Sequence, residues 1–217
     1  MARVKIGNVR TPVDYLKQYF APAGFGLGED LPIVDKAGLD NWTSSGWCIY
    51  YDEINQDSTL GVSAFVNCKG NNASITGAVI QEAYKQDRYG VKILTRVYID
   101  GAWQPWEWVN PPMKIGVEYR TTERFKDKPV YRKIVAYNLS ATTNTDFSVP
   151  HGISNFDTLV RQTASVGAGI PLPYTHNGNT TWLSEVNSTN ILVSNSGQSW
   201  DASYTWNFYL YYTKTTD

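Results

Sequence analysis

The sequence predicts an all-β protein: a short N-terminal helix and neck, a small antiparallel β domain, then a C-terminal antiparallel β-sandwich. Three observations carry that prediction. From Gly46 onward, short apolar runs of period two alternate with turns rich in Gly, Asn, Asp and Pro. Asp100-Gly101 lies between two such runs and is the sharpest hairpin signal in the chain, pairing Tyr98 with Trp103. Aromatic residues reach 14% while charged ones stop at 18%, below the roughly 25% usual in soluble domains. Thr, Ser, Asn and Tyr fill the difference, and such a surface suits a rigid β scaffold better than ordinary enzyme machinery.

Length and charge narrow the function classes. The 217 residues allow one large or two small domains, each able to bury its own core. With Lys+Arg 19 against Asp+Glu 20, the net charge is -1, which argues against nucleic-acid binding because that needs a basic face to replace counterions. No apolar run approaches the roughly 20 residues of a membrane helix. No continuous apolar stretch follows Arg3, Lys5 and Arg10, so the start does not read as a secretory signal.

Taken in order, Thr11 before Pro12 is a helix start. Val13, Leu16 and Phe20 share one face of a short helix running through Tyr19. Pro22 and the run Gly24-Phe25-Gly26-Leu27-Gly28 end it and form a flexible neck that Pro32 extends. These glycines are not a phosphate loop, since no strand precedes them and no Lys-Ser/Thr follows. Trp47 to Tyr51 reads as a strand. Leu60 to Val66 is a second, with Leu60, Val62, Ala64 and Val66 on one face. A turn at Lys69-Gly70-Asn71-Asn72 precedes Ala78 to Tyr84, which reads as a third strand in preference to a short helix. Val91 to Tyr98 meets the Asp100-Gly101 turn, and Trp103 to Trp108 returns from it.

Asn110-Pro111-Pro112 is the clearest boundary, because two prolines cannot donate to a ladder. Beyond it, Tyr119 to Phe125 and Pro129 to Ala136 flank a turn at Lys126-Asp127-Lys128. Phe147 to Val149 and Phe156 to Gln162 are further strands. Pro171 to Thr181 reads as a long polar loop, and Trp182 to Val186 pairs with Asn190 to Ser194 around Asn187-Ser188-Thr189. In the last strand Tyr204, Trp206, Phe208, Leu210 and Tyr212 alternate with Thr205, Asn207, Tyr209, Tyr211 and Thr213. The predicted organisation is a helix and neck over residues 1–37, a first β domain over 38–112 and the sandwich over 113–217.

Cys48 and Cys68 stand in apolar stretches and read as buried thiols rather than a disulfide. His151 and His176 are far apart, and no Cys/His cluster has metal-ligand spacing, so no metal or cofactor is expected. His151, in Pro150-His151-Gly152, reads as a hydrogen-bonded structural histidine.

The stretch from about Gly38 to Pro112 resembles the pyocin-knob module of bacteriophage and phage-derived tail fibres. The matching residues are Gly46-Trp47-Cys48-Ile49-Tyr50, Leu60 to Val66, Ile80-Gln81-Glu82-Ala83-Tyr84, and Leu94-Thr95-Arg96 through Trp103-Gln104-Pro105-Trp106. That family usually closes with an arginine strand and a Trp-x-x-Trp hairpin, supplied here by Arg96, Trp103 and Trp106. Val117 to Thr213 looks like the terminal β domain that follows such knobs, through Tyr119-Arg120-Thr121-Thr122-Glu123-Arg124-Phe125 and Lys128-Pro129-Val130-Tyr131-Arg132-Lys133. The resemblance implies a homotrimer at the tip of a virion tail fibre, joined to the rest of the fibre or baseplate. Its tip would contact a bacterial surface glycan (lipopolysaccharide, capsule or teichoic acid) or a surface protein. Some phage fibres bind a metal through His-x-His; Ile153 at the second position breaks that pattern here.

Sugars present flat C–H faces to aromatic rings, so a ring with neighbouring amides is the pattern sought for a glycan site. The loop Pro171 to Asn179 offers Tyr174 as a stacking face and His176, Asn177 and Asn179 as hydrogen-bond partners, with Trp182 just beyond. The segment Asn195 to Asp201 adds Trp200 as a ring and Asp201 as an acceptor. Period two places Trp106 and Trp108 on one face and Trp103 on the other, for core packing or for stacking. No nucleophile, zinc or triad motif is present. Glu29, Asp30, Asp52, Glu53 and Asp57 read as solvated turn and linker charges, not a glycosidase pair. The chain is expected to bind rather than to catalyse, with a purely structural fibre segment and a depolymerase as the competing readings.

Overall fold

The computed structural model describes residues 31–70, 79–87, 90–167 and 169–217. The predicted helix through Tyr19, the glycine run to Gly28, the Glu29-Asp30 pair and the Asn71-Asn72 part of a turn lie outside the described residues. The chain divides into two compact units, one reaching to Asn110 and one starting at Pro111.

The first unit holds β1 (Ile33–Val34), α1 (Lys36–Asn41), β2 (Gly46–Tyr51), β3 (Ser63–Gly70), β4 (Val79–Asp87), β5 (Gly90–Ile99), β6 (Ala102–Trp103) and β7 (Glu107–Trp108). Its sheet runs β1-β2-β3-β4-β5-β7, with β6 beside β5. Only the β1–β2 pairing is parallel among these described strands. Ile33 to Asp35, expected in the neck, instead supply β1 and the helix cap: the Asp35 carboxylate accepts the Gly38 N–H at 2.7 Å.

The second predicted strand starts later than expected. Asp57 Oδ1 accepts the N–H groups of Thr59 and Leu60 at 2.8 and 2.9 Å, which folds that stretch into a turn. Leu60 is thereby buried outside any strand, while Val62 is 38% exposed instead of joining the inner face with Ala64 and Val66. The Asp100-Gly101 hairpin forms as read. Both residues take positive φ (54° and 82°), as a two-residue turn of this hand demands, and Tyr98 faces Trp103 with ring centroids 5.2 Å apart.

Leu39 of α1 packs against Cys48, Tyr50, Val66, Ala83, Leu94 and Trp106 in the core. Both cysteines are free and buried, and burial pushes each thiol up to about 11, so neither is a thiolate near neutral pH. A buried polar relay fastens α1 to the sheet. Gln81, fully buried, donates to the carbonyls of Leu39 and Trp42 at 3.0 and 2.9 Å and so satisfies the end of the helix. Its Oε1 accepts from Arg96 Nε at 2.9 Å, and Arg96 pairs with Asp40 at 2.8 Å. Burial pushes the Asp40 carboxyl up, but hydrogen bonds from Lys36 and Arg96 outweigh it and hold the group below its usual range.

Trp103 and Trp106 do not take opposite faces. Pro105 interrupts the strand between β6 and β7, alternation is lost, and both rings stack on the Arg96 guanidinium at 4.3 and 4.6 Å. Trp103 Nε1 also donates to the Asp40 carbonyl at 2.6 Å. The arginine and paired tryptophans singled out in the sequence are thus a structural clamp.

The second unit holds β8 (Glu118–Phe125), β9 (Lys128–Asn138), β10 (Phe147–Pro150), β11 (Phe156–Val166), β12 (Ile170–Pro171), β13 (Tyr174–His176), β14 (Asn179–Val186), β15 (Asn190–Asn195) and β16 (Thr205–Lys214). One sheet runs β8-β9-β16-β11-β12 and the other β10-β15-β14-β13. Both contribute to one core, which makes the unit a sandwich. Period two settles the last strand: Trp206, Phe208, Leu210 and Tyr212 are fully buried, while Asn207, Tyr209 and Tyr211 lie on the outer face. There Arg161 and Arg132 sit 3.9 and 5.1 Å from the Tyr211 ring, both paired with Glu123.

His151 is 2% exposed. Its Nδ1 accepts the Ile153 N–H at 3.0 Å, which makes Nε2 the protonated nitrogen, donating to the Asn187 carbonyl at 3.1 Å. Burial pulls its pKa below the ordinary histidine value despite that carbonyl. It serves as a structural, neutral histidine between two turns.

Candidate functional site

The expected loop from Pro171 to Thr181 is mostly a hairpin. Tyr174 pairs with Thr181, Thr175 with Thr180 and His176 with Asn179. Asn177 and Gly178 form the two-residue turn with φ of 52° and 80°, values that Asn and Gly reach at least steric cost. The chain reads as loop there because the run is polar, but Asn-Gly between Tyr-Thr-His and Asn-Thr-Thr-Trp is itself a hairpin signal.

That hairpin sorts the seven candidate residues. Partners across an antiparallel ladder share a face, so Tyr174, Thr181 and Asn195 point one way, inward. Thr181 and Asn195 are buried, and Trp200 Nε1 donates to Thr181 Oγ1 at 2.9 Å. Trp200 is 3% exposed. It packs on Tyr174 at 5.6 Å and Trp206 at 5.1 Å, and its backbone exchanges hydrogen bonds with Thr143 at 2.8 and 3.0 Å. The expectation of an outward Trp200 is corrected: the ring is core, and Tyr174 is half-buried against it. Asp201 accepts the Ser203 N–H at 2.7 Å, a turn cap rather than a free acceptor, and this bond lowers its pKa. Asn179 reaches the Gly197 carbonyl at 3.4 Å and ties the hairpin to the segment after β15. His176 is exposed beside the Tyr174 ring, 6.3 Å away and near-parallel, and Asn177 is exposed in the turn.

Trp182 points the other way, sharing its face with Thr180 and Ser194. Of the eight tryptophans, all among the described residues, it is the one left more than a third exposed, at 39%. Its ring borders an open groove of about 650 Å³, within the range of ligand sites. β11 lends Gln162 and Thr163 to the lining, the link after β12 lends Leu172 and Pro173, and β14 lends Thr180, Trp182 and Leu183. None of these residues is ionisable. Gln162 Oε1 is buried and without a hydrogen-bond partner, an arrangement that costs about 1–3 kcal/mol. Of the groove residues, sequence reasoning found Trp182 and missed the rest, because they come from three separate strands and links. Reading Asn177-Gly178 as a turn would have set the register that turns Trp182 outward.

Of the carboxylates weighed for glycan cleavage, the three among the described residues are occupied by local structure. Asp52 accepts the N–H groups of Lys36, Ile54 and Asn55 at 3.2, 3.0 and 2.7 Å, Asp57 caps its own turn, and Glu53 takes the Tyr51 hydroxyl. Among the described residues, no cluster of three or more His, Cys, Asp or Glu could hold a metal ion, and no helix is long and apolar enough to cross a membrane.

Fold and groove define an all-β chain of two units, the second a sandwich carrying a ligand-sized, uncharged cleft. No protein-family model and no curated protein matches the sequence. Solved structures it is similar to are pyocin tail fibres. An N-truncated R2-type pyocin tail fibre shares 13% identity over 83% of this chain and 95% of that one, with a TM-score of 0.28. C-terminal parts of the P. aeruginosa R1 and R2 pyocin fibres share 11% and 12% over 84% and 83% of this chain, with TM-scores of 0.28 and 0.26. The chain spans 66% and 65% of the length of those two. Similarity of this size assigns neither family nor function, so the functional argument rests on the chain's own residues.

Proposed function

We propose that the chain is the receptor-binding end of a phage or phage-tail-like fibre, holding a saccharide of the bacterial surface in the Trp182 groove without cleaving it. The observation that carries this reading is the one tryptophan left open beside an uncharged groove of ligand size, in a molecule that otherwise buries or half-buries its indoles. A ring face and flanking hydroxyls are groups that a sugar's C–H face and hydroxyls require. One such contact is weak; several copies on a particle make attachment strong through effective concentration. Particles lacking this chain are expected to lose adsorption to their host, and normal adsorption would refute the reading.

A structural role in a homotrimer has its own support. On the outer face of the first unit, Ile33, Ile49, Phe65, Tyr84 and Ile93 stand in one register row across β1 to β5. Ile33 is 69% exposed and Phe65 47%. A contiguous apolar row of this kind marks an interaction face, and a further copy of the chain is the occupant proposed. Three chains of 24.4 kDa give about 73 kDa in light scattering. A mass of one chain would remove the trimer and leave the groove argument untouched.

A further inference from the structure

Resting on the saccharide reading of the groove, we infer that its occupant is an internal stretch of a glycan chain at least two units long, with one unit on Trp182 and the next over Tyr209. The way the groove is built makes it a trough between two sheet margins. β13 ends at Tyr174, opposite Thr181, so from Trp182 to Val186 β14 has no described strand on that side. The link Leu172-Pro173 leaves β14 there and crosses to β11, where the Leu172 N–H donates to the Ala164 carbonyl at 3.0 Å. A closed pocket holds a chain end by its shape, whereas an open groove walled on two sides leaves both chain ends free. Its volume of about 650 Å³ suits a molecule of drug size, larger than one sugar ring. The register of β11 places the second unit. Thr163 lines the groove and stands opposite Tyr209 on the outer face of the sheet. Antiparallel partners start about 4.5–5.5 Å apart at Cβ, so a chain leaving the groove past Thr163 meets the Tyr209 ring next. Tyr211 on the same face is taken up by Arg161 and Arg132, at 3.9 and 5.1 Å. Among the described residues Tyr209 carries no such cation, and its half-buried ring is left for a C–H face. The Thr163 hydroxyl, able to donate or accept, stands at the step from one ring to the other.

The test is competition on the full chain bound to an immobilised bacterial envelope polysaccharide. The probes are fragments of that polysaccharide, made by partial acid hydrolysis, sorted by length from one unit upward and compared per unit. Fragments of two or more units are expected to compete on the order of tenfold better than single units. Trimming the terminal units of the polymer with an exoglycosidase should leave binding unchanged. Tyr209→Ala should bring the longer fragments down to the single-unit level and leave single units as they were, with an unfolding midpoint close to that of the intact chain. Trp182→Ala should weaken every length. The length series reads the intact chain and does not depend on either variant folding. Single units that compete as well per unit as longer fragments, binding lost when the chain ends are trimmed, or a length preference that survives Tyr209→Ala would overturn the inference and leave the proposed function standing. If the chain binds no envelope polysaccharide, both fail.

Discussion

The two units use the same residue types for opposite ends. In the first, tryptophan and arginine are turned inward: Trp103 and Trp106 clamp Arg96, Arg96 pairs with Asp40, and Gln81 closes the helix end. In the second, the inner face of β16 and Trp200 fill the sandwich, and one indole is left facing solvent at Trp182. An aromatic residue becomes available for recognition where alternation turns it away from a core that is already full. In the first unit Pro105 cancels alternation and both rings fall on a cation; in the second the Asn177-Gly178 turn preserves it and puts Thr181 inside and Trp182 outside.

The largest expected effect breaks the first unit's clamp. Arg96→Ala empties a buried position between two rings and leaves the buried Gln81 Oε1 without its donor, so it should destabilise that unit by about 3–5 kcal/mol. Hydrogen exchange should show protection falling first in β2 to β5. Unchanged protection there would mean that the clamp is dispensable.

Next comes a contrast within the second unit. Trp200→Ala empties a core position and should cost about 3–5 kcal/mol in urea unfolding. Trp182→Ala should cost under about 1 kcal/mol while abolishing saccharide binding. The reverse pattern would return Trp200 to the site and Trp182 to the scaffold.

A smaller effect belongs to the hairpin that sets the register. Gly178→Ala forces a side chain into positive φ and should cost about 1–2 kcal/mol, visible as a lower urea midpoint. The smallest is electrostatic. The folded-state pKa of His151 lies below its ordinary 6.5, so the unfolded chain takes up protons first. Its stabilising contribution is complete above about pH 6.5 and falls as acid is added, levelling once the folded form protonates too. Thermal midpoints should drop between neutral pH and the folded pKa, and His151→Gln should remove that part of the drop. A further acid loss below the ordinary carboxylate range should remain from Asp40, whose folded pKa is also lowered.

Much of the fold is legible in the sequence where local chemistry decides it. Asp100-Gly101 names its own turn, the alternating aromatics of β16 name their own buried face, and the cysteines sit where apolar runs put them. The readings that fail do so where long-range packing decides. Nothing in Asn195 to Asp201 says that Trp200 will donate to Thr181 fourteen residues before the segment's start and pack on Trp206. Nothing in Leu60 to Val66 says that Asp57 will hold Leu60 out of its strand. Of the candidate site, Trp182 was legible as a ring near a polar stretch. Gln162, Thr163, Leu172 and Pro173 were not, because a groove built by strands distant in sequence has no local pattern.

The most direct test is a bacterial glycan array probed with the intact chain and with Trp182→Ala side by side. The account predicts at least one saccharide held by the intact chain and lost by the variant, with both equally folded. Equal signals from the two proteins, or silence from the intact one across every bacterial saccharide offered, would contradict it.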